Sequence, residues 1–522
     1  MAKIDYWATP PLNRSQTVLF APTLEDCIDE DHSVRLLDEV LSAMDWTKWE
    51  AHFPFRHGQP PIHPRKMAGA ILYGWTVRLK SGRQLEYAAR NNLDFIWLLE
   101  GLTPDHSTFC KFRATFKDEL KDLFKQVVRY AMNLGMVKLN QVGFDGTAVK
   151  ANSSRYRTWK AEQIERALAA LDQQIEELMR EADQADAQDA SLLGTSSDEL
   201  PEELKDLHQR RDKLRAVSDS LEELAEAKRR EGSKSKAQIP KADPDSRVLL
   251  NKEGGYAANY TPLNAVDREF GLIVQTEVIQ GNSESVNTLT AMDSIQDAYG
   301  RYPDEVLADT AFSTGPNLGG MEEREIDFYS PVSAVSAEQN PANREDPKQP
   351  VAETKRDDLP FRDKKKTQFD KSAFLYVEEE DTYYCPMGEP MRREKAKGAY
   401  RSGQYIRSRV YRCHACDGCP LRSKCVSPKS KCRTITRDEY EPHRQRMAAK
   451  MATDQGREKY NQRTWIAETP FAILKSIFGV RQFLTRGLEN VDNEWRWACT
   501  AFNLKKIIRQ TAQLRAVATK IG

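Results

Sequence analysis

The stretch Gln141–Lys160, QVGFDGTAVKANSSRYRTWK, decides how this chain is put together. Val142 and Phe144 alternate with a two-residue period, the mark of a strand, and the run turns polar a few residues past Asp145. An aspartate at a strand end is most often a turn or cap residue. It gains another meaning only if other parts of the chain bring carboxylates to meet it.

Downstream, DEVLADTAFS predicts a short buried strand that also ends on an aspartate, Asp309. Between the two lie YTPLNAVDREFGLIVQTEVI, a hairpin turning at DREFG, and a helix over about 283–299, while REIDFYSP after them is a further strand. This order is that of an α/β protein with a mixed sheet. Residues 30–135 read as several short helices. Met67, Ile71, Leu72 and Trp75 fall at spacings of three and four, Ser81 caps SGRQLEYAARNN, and Thr103–Ser107 open a further helix. Two helices joined by a short turn suggest a helix-turn-helix, with Lys111 and Arg113 early in the second. From 160 to 232, Ile164, Leu168, Leu171, Ile175 and Leu178 form a coiled-coil seam. After the breaker GTSSDELP, Leu214, Val217, Leu221 and Leu224 resume it, so the segment is an inserted helical hairpin. Residues 332–372, rich in Pro, Lys, Asp and Glu, read as a surface linker. The expected division is 1–135 helical and DNA-binding, 136–159 with 233–331 the first part of the core, 160–232 the hairpin, 332–450 linker and cysteine-rich insertion, and 451–522 the closing helices.

A chain of 522 residues exceeds one ordinary core, and 39% hydrophobic with 30% charged residues describes a soluble protein. No run approaches the roughly 18 apolar residues of a membrane span. The opening MAKIDYWATPP has no signal-peptide core, so a cytoplasmic protein without a membrane partner is expected. The formal net charge is zero but unevenly spread. Residues 160–232 hold 20 acidic and 11 basic residues, whereas 385–437 hold 3 acidic and 14 basic and 438–522 hold 9 acidic and 15 basic. The last third would attract a polyanion.

If the strands ending at Asp145 and Asp309 lie side by side, a third carboxylate completes a divalent metal site, because Mg²⁺ and Mn²⁺ prefer hard oxygen ligands. Two such ions about 4 Å apart serve phosphodiester chemistry. The third acid is sought in YNQRTWIAETPFAILKSIFGVRQFLTRG, where Tyr460, Arg463, Glu468 and Lys475 stand out from an apolar background and Arg463, Lys475, Arg481 and Arg486 supply cations for phosphates. Six of nine cysteines fall between 385 and 432. In a cytosolic chain that density favours metal over disulfides. Cys416, Cys419 and Cys425 with Cys385 would give a four-thiolate Zn²⁺ site, with Cys413 or His414 able to replace one of them. Cys27, Cys110 and Cys499 read as ordinary buried residues.

Over nearly its whole length the chain resembles DDE-type insertion-sequence transposases with a ribonuclease H-like catalytic core. The resemblance rests on HPRKMAGAILYGWTVRLKSGRQLEYAARNN and PDHSTFCKFR, similar to the InsH-like helical N-terminal domain, on GFDGTAVKANSSR and ADTAFST for the first two aspartates, and on RGLENVDNEWRWACTAFNLKKI for the final helix. Tyr460, Arg463, Glu468 and Lys475 are similar to the family's Tyr-Arg-Glu-Lys signature, with four residues between Arg and Glu where the commonest form has three. The resemblance implies Asp145, Asp309 and Glu468 as catalytic metal ligands. Tyr460, Arg463 and Lys475 would act at the DNA end, and a structural Zn²⁺ would sit among the cysteines. It implies cleavage of double-stranded DNA at transposon ends and strand transfer into target DNA by a homodimer. A transposase-derived DNA-binding protein without chemistry and a structure-specific nuclease are the alternatives. The small residues Gly146, Thr147 and Ala148 are expected to leave room for metal and DNA backbone.

Overall fold

The computed structural model describes residues 23–521 apart from 55–59, 194–201, 231–235, 251–253, 282–283, 333–339, 341, 363–366 and 402–403. The breaker at 194–201 and the opening MAKIDYWATPP lie outside the described residues. The chain divides into two compact units, Met1–Glu119 with Leu504–Gly522, and Leu120–Asn503. The first boundary falls inside the Lys117–Asn133 helix rather than near 135. Among the described residues no helix is long and apolar enough to cross a membrane.

The first unit is helical. Pro64 begins the Pro64–Thr76 helix, where its missing N–H costs nothing, and Met67, Ile71, Leu72 and Trp75 are all buried, as their spacing requires. A capping box between Ser81 and Gln84 opens the Gly82–Asn91 helix, and Asp105 caps His106–Thr115. These two helices meet at Gly82, where a Cβ would lie 2.8 Å from the His106 carbonyl oxygen. They are not joined by a short turn: the Leu93–Leu98 helix stands between them, so the simple helix-turn-helix expectation is corrected. The ring of Trp49, stacked on Phe112 and Phe116 at 5.6 and 4.9 Å, anchors the core.

In the second unit the strand expected around Asp145 is Gln141–Gly146, buried at every position and lying mid-sheet. Through this centre the order is Ile273–Ile279, Tyr256–Asp267, Gln141–Gly146, Glu305–Leu307 and Asp327–Tyr329. The first two junctions are antiparallel and the last two parallel. Val142 and Phe144 face one side, where the Phe144 ring meets Phe312 edge-on at 5.1 Å, and Gly143 and Asp145 face the other. The Leu488–Ile521 helix is tied to the sheet by Asn503, which accepts from the Ile273 N–H (2.9 Å) and donates to its carbonyl (2.7 Å), and by Trp495, whose Nε1 donates to Asn264 and Thr276.

Two insertions leave this sheet. The acidic segment is a pair of helices, Ala161–Leu193 and Glu202–Arg230, sharing a small core of Ile164, Leu214, Leu221 and Ile239. Its ends are drawn together by pairing of Thr158–Trp159 with Ile239–Pro240. The second insertion is a five-stranded antiparallel sheet, Leu375–Val377, Thr382–Tyr384, Pro390–Arg401, Gln404–Cys413 and Thr434–Asp438. The expectation that residues 332–372 are surface linker is corrected: Val351, Leu359 and Phe369 are buried in its core, together with Phe374 just beyond. Their apolar side chains come singly, at irregular intervals in a polar stretch, and so carry no period. Cys499 is buried as expected, whereas Cys27 and Cys110 are exposed.

Candidate active site

The parallel pairing of Gly143 with Leu307 sets the level of the residues just beyond it. Two positions further along each chain stand Asp145 and Asp309, so they leave adjacent strands side by side. Asp309 also serves the turn, its carboxylate accepting from the Ala311 N–H at 2.8 Å. Asp145 is buried and accepts from the Gly146 N–H at 2.8 Å.

Glu468 arrives from a different direction. It closes a π-helical turn, Thr464–Glu468, that continues into the Thr469–Ser476 helix. This turn lies on the Asp145 face of the central strand, and Gly143 permits the approach: a Cβ there would come within 2.8 Å of the Ile466 Cγ2 and 3.1 Å of the Ala467 nitrogen. In an ordinary α-helix residues five apart diverge by roughly 140°. The wider π turn brings Arg463 and Glu468 to one side, which absorbs the extra residue between them.

The guanidinium of Arg463 then spans the site. Its Nη1 lies 3.2 Å from the Asp145 Oδ2, and its Nη2 lies 3.0 Å from the Glu468 Oε1. Burial works against its charge, but Asp145, Tyr460, Glu468 and Asp309 together hold its pKa above the ordinary arginine value. The Tyr460 ring centroid is 5.9 Å from the same guanidinium. Four chemically notable side chains from three segments of sequence therefore surround one cation.

Lys475 sits one helix further on, donating to the Thr147 hydroxyl (2.6 Å) and the Ala148 carbonyl (2.9 Å). Thr147 and Ala148 therefore hold the lysine rather than leaving open room. Gly146 is also covered: a Cβ there would meet the Glu284 carboxyl at 2.7–2.8 Å and Leu263 at 2.8 Å. Nothing in GNSESVN marks Glu284 as a neighbour of the strand end, since only the fold brings it there. Arg481 is exposed on a loop whose backbone pairs with Lys150, and Arg486 donates its Nε to the Asn152 carbonyl at 2.9 Å. Glu494 clamps this loop by accepting from the Leu484 and Thr485 N–H groups. Lys111 and Arg113 belong to the helical unit, where Lys111 is exposed and Arg113 donates to the Lys80 carbonyl at 2.7 Å.

In the second insertion, Cys385, Cys413, Cys416, Cys419 and Cys425 line one cavity of about 20 Å³, closed by Phe369 and Arg433 among others, and all are thiols. A hydrogen bond from Cys413 brings the Cys385 thiol down to about 7, while burial pushes Cys425 up to about 12. Cys413 is thus as close to the cluster as Cys419, and Cys432 packs against its edge. Among the described residues no three His, Cys, Asp or Glu side chains close upon one point as a metal cage.

Comparison with known proteins adds two matches. A family model described as "Transposase DDE domain" matches residues 384–508, which include Glu468, Lys475 and all the cysteines of the cavity. A second, "Transposase domain (DUF772)", matches residues 22–115 in the helical unit. No curated protein and no solved structure gives a significant match. Two transposase models matched to separate stretches of one chain support a DDE-type insertion-sequence transposase.

Proposed function

We propose that the chain cleaves phosphodiester bonds at transposon ends and joins the freed 3′-hydroxyl to target DNA, on a ribonuclease H-like core, with Asp145, Asp309 and Glu468 as its catalytic acids. The observation that carries this is the cation at their centre: Arg463 is paired with two of the acids and feels the third. Carboxylate oxygens are the hard donors that Mg²⁺ or Mn²⁺ prefers, and the arginine marks where they gather and call for positive charge. A pair of such ions, when bound, supplies activation of the attacking oxygen and stabilisation of the leaving one. The strand order, with Asp145 on the central strand and Asp309 just past the end of its parallel neighbour, supports the same reading.

The chain's own groups supply the rest. Lys475, Arg481 and Arg486 bind phosphates along the edge of the central strand, and Tyr460 packs against the DNA end. Lys111 and Arg113 belong to the end-recognition unit. Four thiolates from Cys385, Cys416, Cys419 and Cys425, or with Cys413 in place of one, hold a structural Zn²⁺; a cavity lined by sulfur and a thiol near neutral pKa support this. Two ends must be cut together, so a homodimer acting on cytoplasmic, nucleoid DNA follows.

The test is incubation of the purified protein with the DNA ends that flank its gene, plus Mg²⁺ or Mn²⁺. Asp145→Asn, Asp309→Asn and Glu468→Gln should each lower cleavage by about 10³-fold or more while end binding persists. Cleavage at the wild-type rate in any of the three removes that residue from the site. Nicking without joining would favour a nuclease.

A further inference from the structure

Arg463 stands where positive charge is needed and comes from the helix that carries the last acid. Its side chain is only 14% exposed, so its pairing with Asp145 and Glu468 is partly shielded from solvent and from salt. Asp145 is fixed in a fully buried strand between two neighbours, whereas the Glu468 side chain is half exposed. A divalent cation held by Asp145 and Glu468 would draw on the same two carboxylates that this guanidinium now pairs with. The two cations therefore compete for one place.

We propose that Arg463 is a built-in counter-ion: it neutralises the catalytic carboxylates until divalent metal enters, and is then displaced toward the substrate phosphate. This inference rests on the proposed role of Asp145 and Glu468 as metal ligands. Three features make the exchange feasible. The guanidinium presents several N–H donors in one plane, so it can release carboxylates and take up phosphate oxygens with the same geometry. Tyr460 flanks it at 5.9 Å and offers an aromatic face in either position. The π turn sets Arg463 beside Glu468, whose side chain is half exposed, so one of the arginine's two partners is open to exchange. No covalent step is involved. The chain would thus hold its acids together without metal, and the cost of separating them from Arg463 would lower apparent metal affinity.

The test uses the full-length protein without DNA. Mn²⁺ binding is followed by electron paramagnetic resonance for wild type, Arg463→Gln, Arg463→Lys and Asp145→Asn, with circular dichroism to establish that each is folded. Removing the competitor in Arg463→Gln should tighten Mn²⁺ binding by about tenfold, because a competent state hidden by a competing contact reduces apparent affinity in proportion. Arg463→Lys, which keeps the charge, should stay near wild type, and Asp145→Asn should lose the site. Arg463→Gln should also melt lower than wild type without metal and recover when Mg²⁺ is added. Unchanged or weaker Mn²⁺ binding in a folded Arg463→Gln overturns the inference. If wild type binds no Mn²⁺, or Asp145→Asn binds it equally well, the ligand assignment beneath it falls instead.

Discussion

At the scale of single residues, Gly143 carries as much of the site as the acids do. It lies on the same face of the strand as Asp145, and a side chain there would collide with Ile466 and Ala467, the residues that seat Glu468. Gly143→Val should therefore push the π turn away from the strand. Overpacking of this kind costs about 1–3 kcal/mol. Thermal melting should register that loss, and cleavage should fall further than stability alone explains, because Glu468 loses its place against Asp145. Wild-type cleavage in a folded Gly143→Val would show that the close approach is not needed. The sequence singled out Asp145 and Asp309 at expected strand ends and Glu468 in the basic helix, and the structure brings Asp145 and Glu468 to one arginine. The sequence did not announce Gly143 or Glu284, since each matters only for what lies across from it in space.

Among the elements, the helical, strand and hairpin periods of the core were legible, and so was the inserted coiled coil. The π turn was not, although its trace was visible as one residue too many between Arg463 and Glu468. Spacing alone cannot distinguish a wide turn from a broken motif. The basic five-stranded sheet was missed for a different reason: from Pro390 to Cys413 charged residues interrupt the alternation, and its core is completed by scattered residues such as Val351 and Phe369. The cysteines pointed to a bound metal, without fixing which four would hold it. If they hold zinc, the purified protein should contain about one zinc per chain by elemental analysis. Cys385→Ser, Cys416→Ser and Cys425→Ser should lose it, and chelation should lower the melting temperature. A folded wild-type protein that is free of zinc, with every thiol of the cavity open to alkylation, would argue for a module that stands on its apolar core alone.

For the molecule as a whole, charge is segregated by segment: the helical arm is acidic, while the second insertion and closing helices are basic. The arm also has its own small core, separate from the sheet. Replacing residues 161–236 by a short Gly-Ser linker should consequently leave the remaining chain folded, with melting within a few degrees of wild type. Collapse of the truncated protein would show that the arm props up the sheet. Losing an acidic segment should also strengthen non-specific DNA binding and steepen its dependence on salt, which a fluorescence titration would measure.

The clasp between Thr158–Trp159 and Ile239–Pro240 has a consequence for how such a chain can change over generations. Because the chain enters and leaves the arm at one point, the entropy of closing that loop is borne by the clasp, and each doubling of arm length adds only about 0.6 kcal/mol. Heptads can be gained or lost beyond it without altering the register of the strand that holds Asp145. With the first helix already spanning about 50 Å, each added heptad lengthens the arm by about 10 Å. The span between whatever the arm touches and the place of cutting is thereby free to drift, while the chemistry stays still.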